Sequence, residues 1–458
     1  MFVVLLFIIA LQSQLLVSLA GGYQVTHHIG LEISMWDNKT TLRAEAFTPI
    51  TDNTKEVFPL IVVPSSWHTE RLDRIIKALN WAADGYVCLR YSARGWSGSN
   101  GDIDIAGSMD RRDASSVLDY AHTMSSAWQI DTAKIAVVGV SIDAATALQV
   151  AGVDDRVTTV VSLSGWSNLT EALFDSTLPD ITWGDMLRYV TGTHTGNQDH
   201  PTFADLVDKL VTHNNWGSVE SSYAKERCAD NFLEKINARK VPVFISQNFG
   251  DKVSPPQDMG RFWTKLQGEK FLMFNSGGHA EAEFRKDTSA VWAHVKRWLD
   301  TIIKGVDSGL LAHPVKFQED GEMGAAPYHR FATYPPEVAS VDYEKYFFFN
   351  RGPIITTNRP HDATFGDLSP MAMEPKRHAA YELSLSNAKK DGQHRRKLDR
   401  VHRVGEAGMV EGKLSISDYL RPPVRPIKQL EFVNRRGSMV FATDSFKNDT
   451  ILCGTPTY

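Results

Sequence analysis

Cysteine is scarce in this 458-residue sequence: it has three, Cys88, Cys228 and Cys453. Three cannot build a disulfide framework, and at least one stays unpaired. A surplus of either charge is also missing. The net charge is −5, and no basic stripe interleaved with aromatics is present, which excludes nucleic-acid binding as the main role. No His, Cys and Asp cluster has metal-ligand spacing, and His27-His28 reads as a structural pair in a strand. There is no internal repeat. An apolar fraction of 42% and a charged fraction of 22% are ordinary for a globular chain long enough for two domains.

An uninterrupted apolar run long enough to span a bilayer is missing as well. Phe2 to Leu11 is apolar, but Gln12-Ser-Gln14 interrupts it, short of the ~20 residues a span needs. Small residues at Ser18 and Ala20 fit a secretory signal over residues 1–20, cleaved near Ala20. The customary basic n-region is missing, which leaves an N-terminal membrane anchor as the alternative. Three sequons, at Asn38, Asn168 and Asn448, agree with export. The expected product is a secreted glycoprotein with no stable membrane span after cleavage.

What is there is alternation. After an antiparallel pair, Tyr23 to Met35 and Thr41 to Phe47, apolar strands alternate with helix-periodic stretches through Val140. That pattern predicts an α/β fold with a mainly parallel sheet covered on both faces, whose C-terminal edge carries the site. Residues 165–239 break the alternation with a tryptophan-rich, loosely helical insertion, expected as a cap. The main domain is expected over 21–306, closed by an amphipathic helix that starts at Ala290. Residues 307–458 read as a β-rich C-terminal region with an exposed basic tract between Ala379 and Val404.

The run Lys134-Ile-Ala-Val-Val-Gly139-Val-Ser141 is a strand that breaks at Gly-x-Ser, and a helix-forming stretch begins at once. This is close to the Gly-x-Ser-x-Gly elbow of α/β-hydrolases, which lifts a serine hydroxyl clear of the sheet. The last small residue is replaced by Asp143. In such enzymes an acid and a histidine follow in that order at strand ends. Val241 to Gln247 reads as a buried strand leading to Asp251, and Lys270 to Asn275 as the next, leading through Gly277-Gly278 to His279. The expected triad is Ser141, Asp251 and His279, with His279 moving the proton and Asp251 fixing the tautomer. Asp258 is the nearest rival acid.

These residues resemble the X-Pro dipeptidyl-peptidase-like serine hydrolases, a family that includes bacterial cocaine esterase and related acyl esterases. The resemblance is carried by Leu42 to Pro49, Gly85 to Ser99, the elbow, Val161 to Leu169, Gly250 to Pro256 and Gly277 to Ala280, and it spans about residues 24 to 305. It implies an α/β-hydrolase with a helical cap, followed by a jelly-roll domain, and no cofactor. Three departures stand out. The family's elbow continues Ser-Tyr-Gly-Gly, where this chain has Ser141-Ile142-Asp143-Ala144. Cocaine-esterase-like members place an oxyanion-hole tyrosine just after the proline of strand three, where Pro64 is followed by Ser65, Ser66 and Trp67. The jelly roll is expected to be cut short, since the sequence stops at Tyr458.

The implied activity is hydrolysis of small esters, or of amide or X-Pro peptide bonds, through an acyl-enzyme on Ser141. Oxyanion donors are sought at Ile142, Ser65 and Ser66, and pocket residues at Trp67, Trp166 and Trp183. X-Pro exopeptidase action also needs carboxylates to hold a free amine, which favours the ester reading. The alternative is a catalytically impaired binding protein, because a side chain at Asp143 is expected to crowd the elbow and its charge to oppose an oxyanion.

Overall fold

The computed structural model describes residues 14–17, 22–66, 71–175, 178–179, 218–284, 290–318 and 327–334. Eleven strands form one sheet: β1 (Gln14–Val17), β2 (Gln24–Ser34), β3 (Thr41–Ile50), β4 (Phe58–Ser65), β5 (Val87–Ser92), β6 (Ile130–Val140), β7 (Thr159–Leu163), β8 (Val243–Asn248), β9 (Lys270–Asn275), β10 (Val315–Gln318) and β11 (Tyr328–Phe331). Their order is β1-β2-β3-β5-β4-β6-β7-β8-β9-β10-β11. The block from β5 to β10 is parallel, and antiparallel strands close both edges.

Parallel strands covered on both faces must be apolar on both, and β4, β7 and β8 are buried along nearly their whole length. One face carries helices α1 (Arg71–Ala83) and α9 (Ala290–Lys304), whose Trp81, Val295, Trp298 and Leu299 pack on Val63, Val138, Phe244 and Phe271. The remaining described helices are α2 (Ser108–Thr123), α3 (Ile142–Val153), α4 (Leu169–Leu173), α5 (Ser218–Glu226), α6 (Leu233–Ala238), α7 (Pro256–Lys265) and the one-turn α8 (Glu281–Phe284). Helix α3 is buried all round. Its alanines at 144, 145, 147 and 151 combine high helix propensity with the small volume that close packing against β6 and β7 needs.

Chain order reverses at β4: β5 lies on one side of it and β6 on the other. At such a switch point the flanking crossovers diverge and leave a crevice beyond the strand ends. Ser66 follows β4 and Ser141 follows β6, so both stand at that crevice.

The sheet differs from expectation at its far edge. It does not stop at residue 306, because β10 pairs with β9 and β11 pairs with β10. Strands of four residues carry too little alternation to be told from a loop. At the other edge, β1 pairs with β2 and falls inside the expected leader. The C-terminal region after 334, with Asn448 and Cys453, lies outside the described residues, as do Trp183, the middle of the expected cap and Trp67. Cys88 and Cys228 are buried free thiols. Among the described residues no helix is long and apolar enough to cross a membrane.

Candidate active site

Ser141 sits at φ 61° and ψ −123° between β6 and α3. A non-glycine residue held there costs about 1–3 kcal/mol and persists only where its surroundings over-determine it. They do so here. The Ser141 N–H donates to Leu163 O at 2.8 Å, and Ser141 O accepts from Ala144 N at 3.0 Å to start the helix. Gly139 makes the close turn possible, since a Cβ there would lie 2.1 Å from Asp143 O.

Ser141 Oγ lies 2.8 Å from His279 Nε2, and His279 Nδ1 lies 2.9 and 3.0 Å from the two Asp251 oxygens. Asp251 Oδ1 also accepts from the N–H groups of Val253 and Ser254 at 2.9 and 2.8 Å. The two loops are joined by main-chain bonds, Phe249 N to Asn275 O at 2.9 Å and Gly250 N to Gly277 O at 2.8 Å. The register of β8 on β9 therefore sets where the acid meets the histidine.

Asp258 does not share this geometry. It lies in the first turn of α7 and accepts from Ser167 Oγ, Ser167 N and Asn168 N at 2.6, 2.6 and 3.0 Å. Burial pushes its carboxyl up to about 6 against the pull of those three bonds. Its role is to pin the stem of the insertion. Trp166, sought as a pocket residue, belongs to the same stem: it is fully buried and its Nε1 donates to Arg227 O at 3.2 Å, which leaves it no face for a ligand.

Asp143 departs most from expectation. Its carboxylate does not crowd the elbow; it reaches back to the end of β4, where each oxygen accepts from Ser66 N at 3.0 Å and Oδ1 from Ser66 Oγ at 2.5 Å. Both residues are 2% exposed. The Ser66 donors sought for an oxyanion are thus engaged by this carboxylate. Ser65 closes β4 with its carbonyl accepting from Ala93 N at 3.0 Å. Ile142 opens α3, and its N–H is among those a helix leaves without an internal acceptor.

The loop after β5 is held from below. Arg94, 3% exposed, donates from Nε and Nη2 to the two Asp113 oxygens at 2.7 Å each, and Asp113 also accepts from Trp36 Nε1 at 2.9 Å. Two of the sequons differ in kind. Asn38 is exposed in a turn at φ 56°. Asn168 is a helix cap: its Oδ1 accepts from Thr170 N and Glu171 N at 3.1 and 3.3 Å, and its Nδ2 donates to Glu171.

The Ser66 contact escaped the sequence because 77 positions separate the partners. One signal was present: two of the three departures from the resembled pattern lie beside each other, Ser65 at the end of β4 and Asp143 just past the end of the neighbouring β6.

Solved structures with the same fold include a CocE/NonD family hydrolase from Staphylococcus aureus, at TM-score 0.54 and 14% identity, with 70% of this chain and 58% of that one covered. An aminopeptidase from a marine sediment Thaumarchaeota archaeon matches at TM-score 0.51 and 14% identity, over 71% of this chain and 61% of that one. The chain spans about three fifths of the length of these relatives. A search of curated proteins finds no match. The sequence itself matches the X-Pro dipeptidyl-peptidase (S15) family over residues 37–281, a stretch that starts just before β3 and ends two residues past His279. With more than half of the 458 residues inside that match and an α/β-hydrolase sheet beneath it, the chain belongs to the X-Pro dipeptidyl-peptidase (S15) family of hydrolases.

Proposed function

We propose that this chain is a serine hydrolase that cleaves small esters, and less readily amide or X-Pro peptide bonds, through an acyl-enzyme on Ser141. The observation that carries it is the unbroken relay from Ser141 Oγ through His279 to Asp251. His279 Nε2 takes the Ser141 proton as Oγ attacks the acyl carbon, and Asp251 steadies the imidazolium. The Ile142 N–H is the first oxyanion donor in an elbow of this kind. His279 then protonates the leaving group, and a water activated by the same nitrogen releases the acid.

Esters are favoured because exopeptidase action also needs carboxylates for a free amine. The buried acids among the described residues, Asp104, Asp110 and Asp154 as well as Asp113, Asp143, Asp251, Asp258 and Glu283, all accept from protein donors. A second reading, an impaired hydrolase that binds rather than turns over, draws on the Asp143 carboxylate held against Ser66 N. Export, with cleavage after Ala20, completes the proposal.

The test is labelling by a fluorophosphonate probe, which reacts quickly only with an activated serine. Wild type is expected to label, and Ser141→Ala to lose both labelling and short-chain ester hydrolysis while staying folded. Labelling that persisted at another serine would overturn the assignment.

A further inference from the structure

Glu283 takes no part in the chemistry above, yet it is 1% exposed. It stands on α8, four residues after His279. Its Oε1 accepts from Ser246 Oγ at 2.8 Å and its Oε2 from Asn248 Nδ2 at 2.9 Å. No cation among the described residues pairs with it; burial raises its pKa, the two bonds pull it back, and the Asp251 charge adds to the rise. Enclosing a carboxyl without a counter-ion is costly.

What its partners carry accounts for the placement. Asn248 ends β8, and its carbonyl accepts from Asp251 N at 3.1 Å, closing the turn that presents the acid. Its amide also donates to Ser164 Oγ at 2.8 Å, just past the Leu163 carbonyl that holds Ser141 N. Ser246 Oγ accepts from Asn275 Nδ2 at 2.9 Å, at the end of β9, the strand leading to His279. Both partners lie on β8, the strand that leads to Asp251, and through them the carboxyl is linked to Asn275 at the end of β9 and to Ser164 just past β7.

We propose that Glu283 is a positioning residue of the triad, fixing the ends of β8 and β9 through Ser246 and Asn248 and with them the reach of Asp251 to His279. It touches no reacting atom, and the inference rests on the serine-hydrolase reading. Glutamine keeps the link to Asn248 through its oxygen and can hold Ser246 by donating to Oγ in place of accepting from it, once the hydroxyl proton turns away. Alanine leaves both partners without it.

The experiment measures fluorophosphonate labelling against probe concentration in the full chain, separating maximal rate from half-saturating concentration, beside thermal melts. Wild type that does not label defeats the serine-hydrolase reading itself. Given a labelled wild type, Glu283→Ala is expected to lose about a hundredfold in maximal rate at an unchanged half-saturating concentration. Glu283→Gln is expected to stay within about threefold of wild type, a rescue of roughly two kilocalories' worth of barrier. Wild-type labelling by Glu283→Ala, or a loss that appears only in the half-saturating concentration, overturns the proposal. Should Glu283→Ala not fold, Ser246→Ala removes one partner alone. It is expected to slow labelling about tenfold, and an unchanged rate there overturns the proposal equally.

Discussion

On the proposed function, Asp143 is expected to couple stability to activity through one side chain. Removing its carboxylate leaves the Ser66 N–H and hydroxyl enclosed without that acceptor, a loss of about 1–3 kcal/mol. The same removal frees a donor at the crevice and takes away a charge that would oppose an oxyanion by about 2 kcal/mol if the two stood about 8 Å apart at an effective dielectric near 20. Asp143→Gly is therefore expected to melt earlier in urea and to turn over a small ester about tenfold faster or more. Asp143→Asn keeps an acceptor for Ser66 and loses the charge, so its stability falls less. Turnover that dropped along with stability in both variants would show that the carboxylate supports the chemistry. The strand-to-helix turn at Ser141, the proposed nucleophile, was legible because Gly-x-Ser between a strand and a helix is a local pattern. The strut beneath it was not, because its partners are 77 positions apart and the two departures at Ser65 and Asp143 become neighbours only once β4 is paired with β6.

Among helices and strands, legibility followed length. The buried second half of β6 and buried β8 announced themselves as apolar runs, and α9 as an amphipathic stripe. Strands β10 and β11 did not, since the sheet rather than their own periodicity makes them strands. Helix α7 is joined to the segment after β7 by Asp258, and that joint is expected to titrate. Its folded-state pKa of about 6 lies above the ordinary 3.8, so the native state holds a proton that the unfolded chain releases. Its contribution to stability is present below about pH 4 and is lost as pH rises through about 6, by up to about 3 kcal/mol. Half-buried His294 on α9 acts in the opposite sense. Burial holds it down to about 4, with Lys316, Arg297 and Arg330 adding to the effect. It withdraws stability as pH falls from about 6.5 toward 4. Asp258→Asn is expected to make stability climb more steeply from pH 4 to 6 than in wild type, as read from urea melts at three pH values. Parallel slopes would show that Asp258 does not titrate there.

For the chain as a whole, the proposal of export has a sharp form. Protein from a eukaryotic host is expected to begin at Gly21 and to shift in mobility on glycosidase treatment. Asn38→Gln is expected to reduce the shift, whereas Asn168→Gln leaves it unchanged, because the Asn168 amide already caps α4. An intact Met1 terminus without any shift rejects the secreted reading. The main-chain bonds that join the Asp251 loop to the His279 loop have a mechanical consequence. They continue the β8–β9 ladder past the strand ends, so acid and base are mounted on sheet and cannot part without unzipping it. Ser141 stands outside this unit, on an elbow two strands away. A substrate that levers the serine aside would leave the imidazole and its carboxylate already aligned for the return stroke.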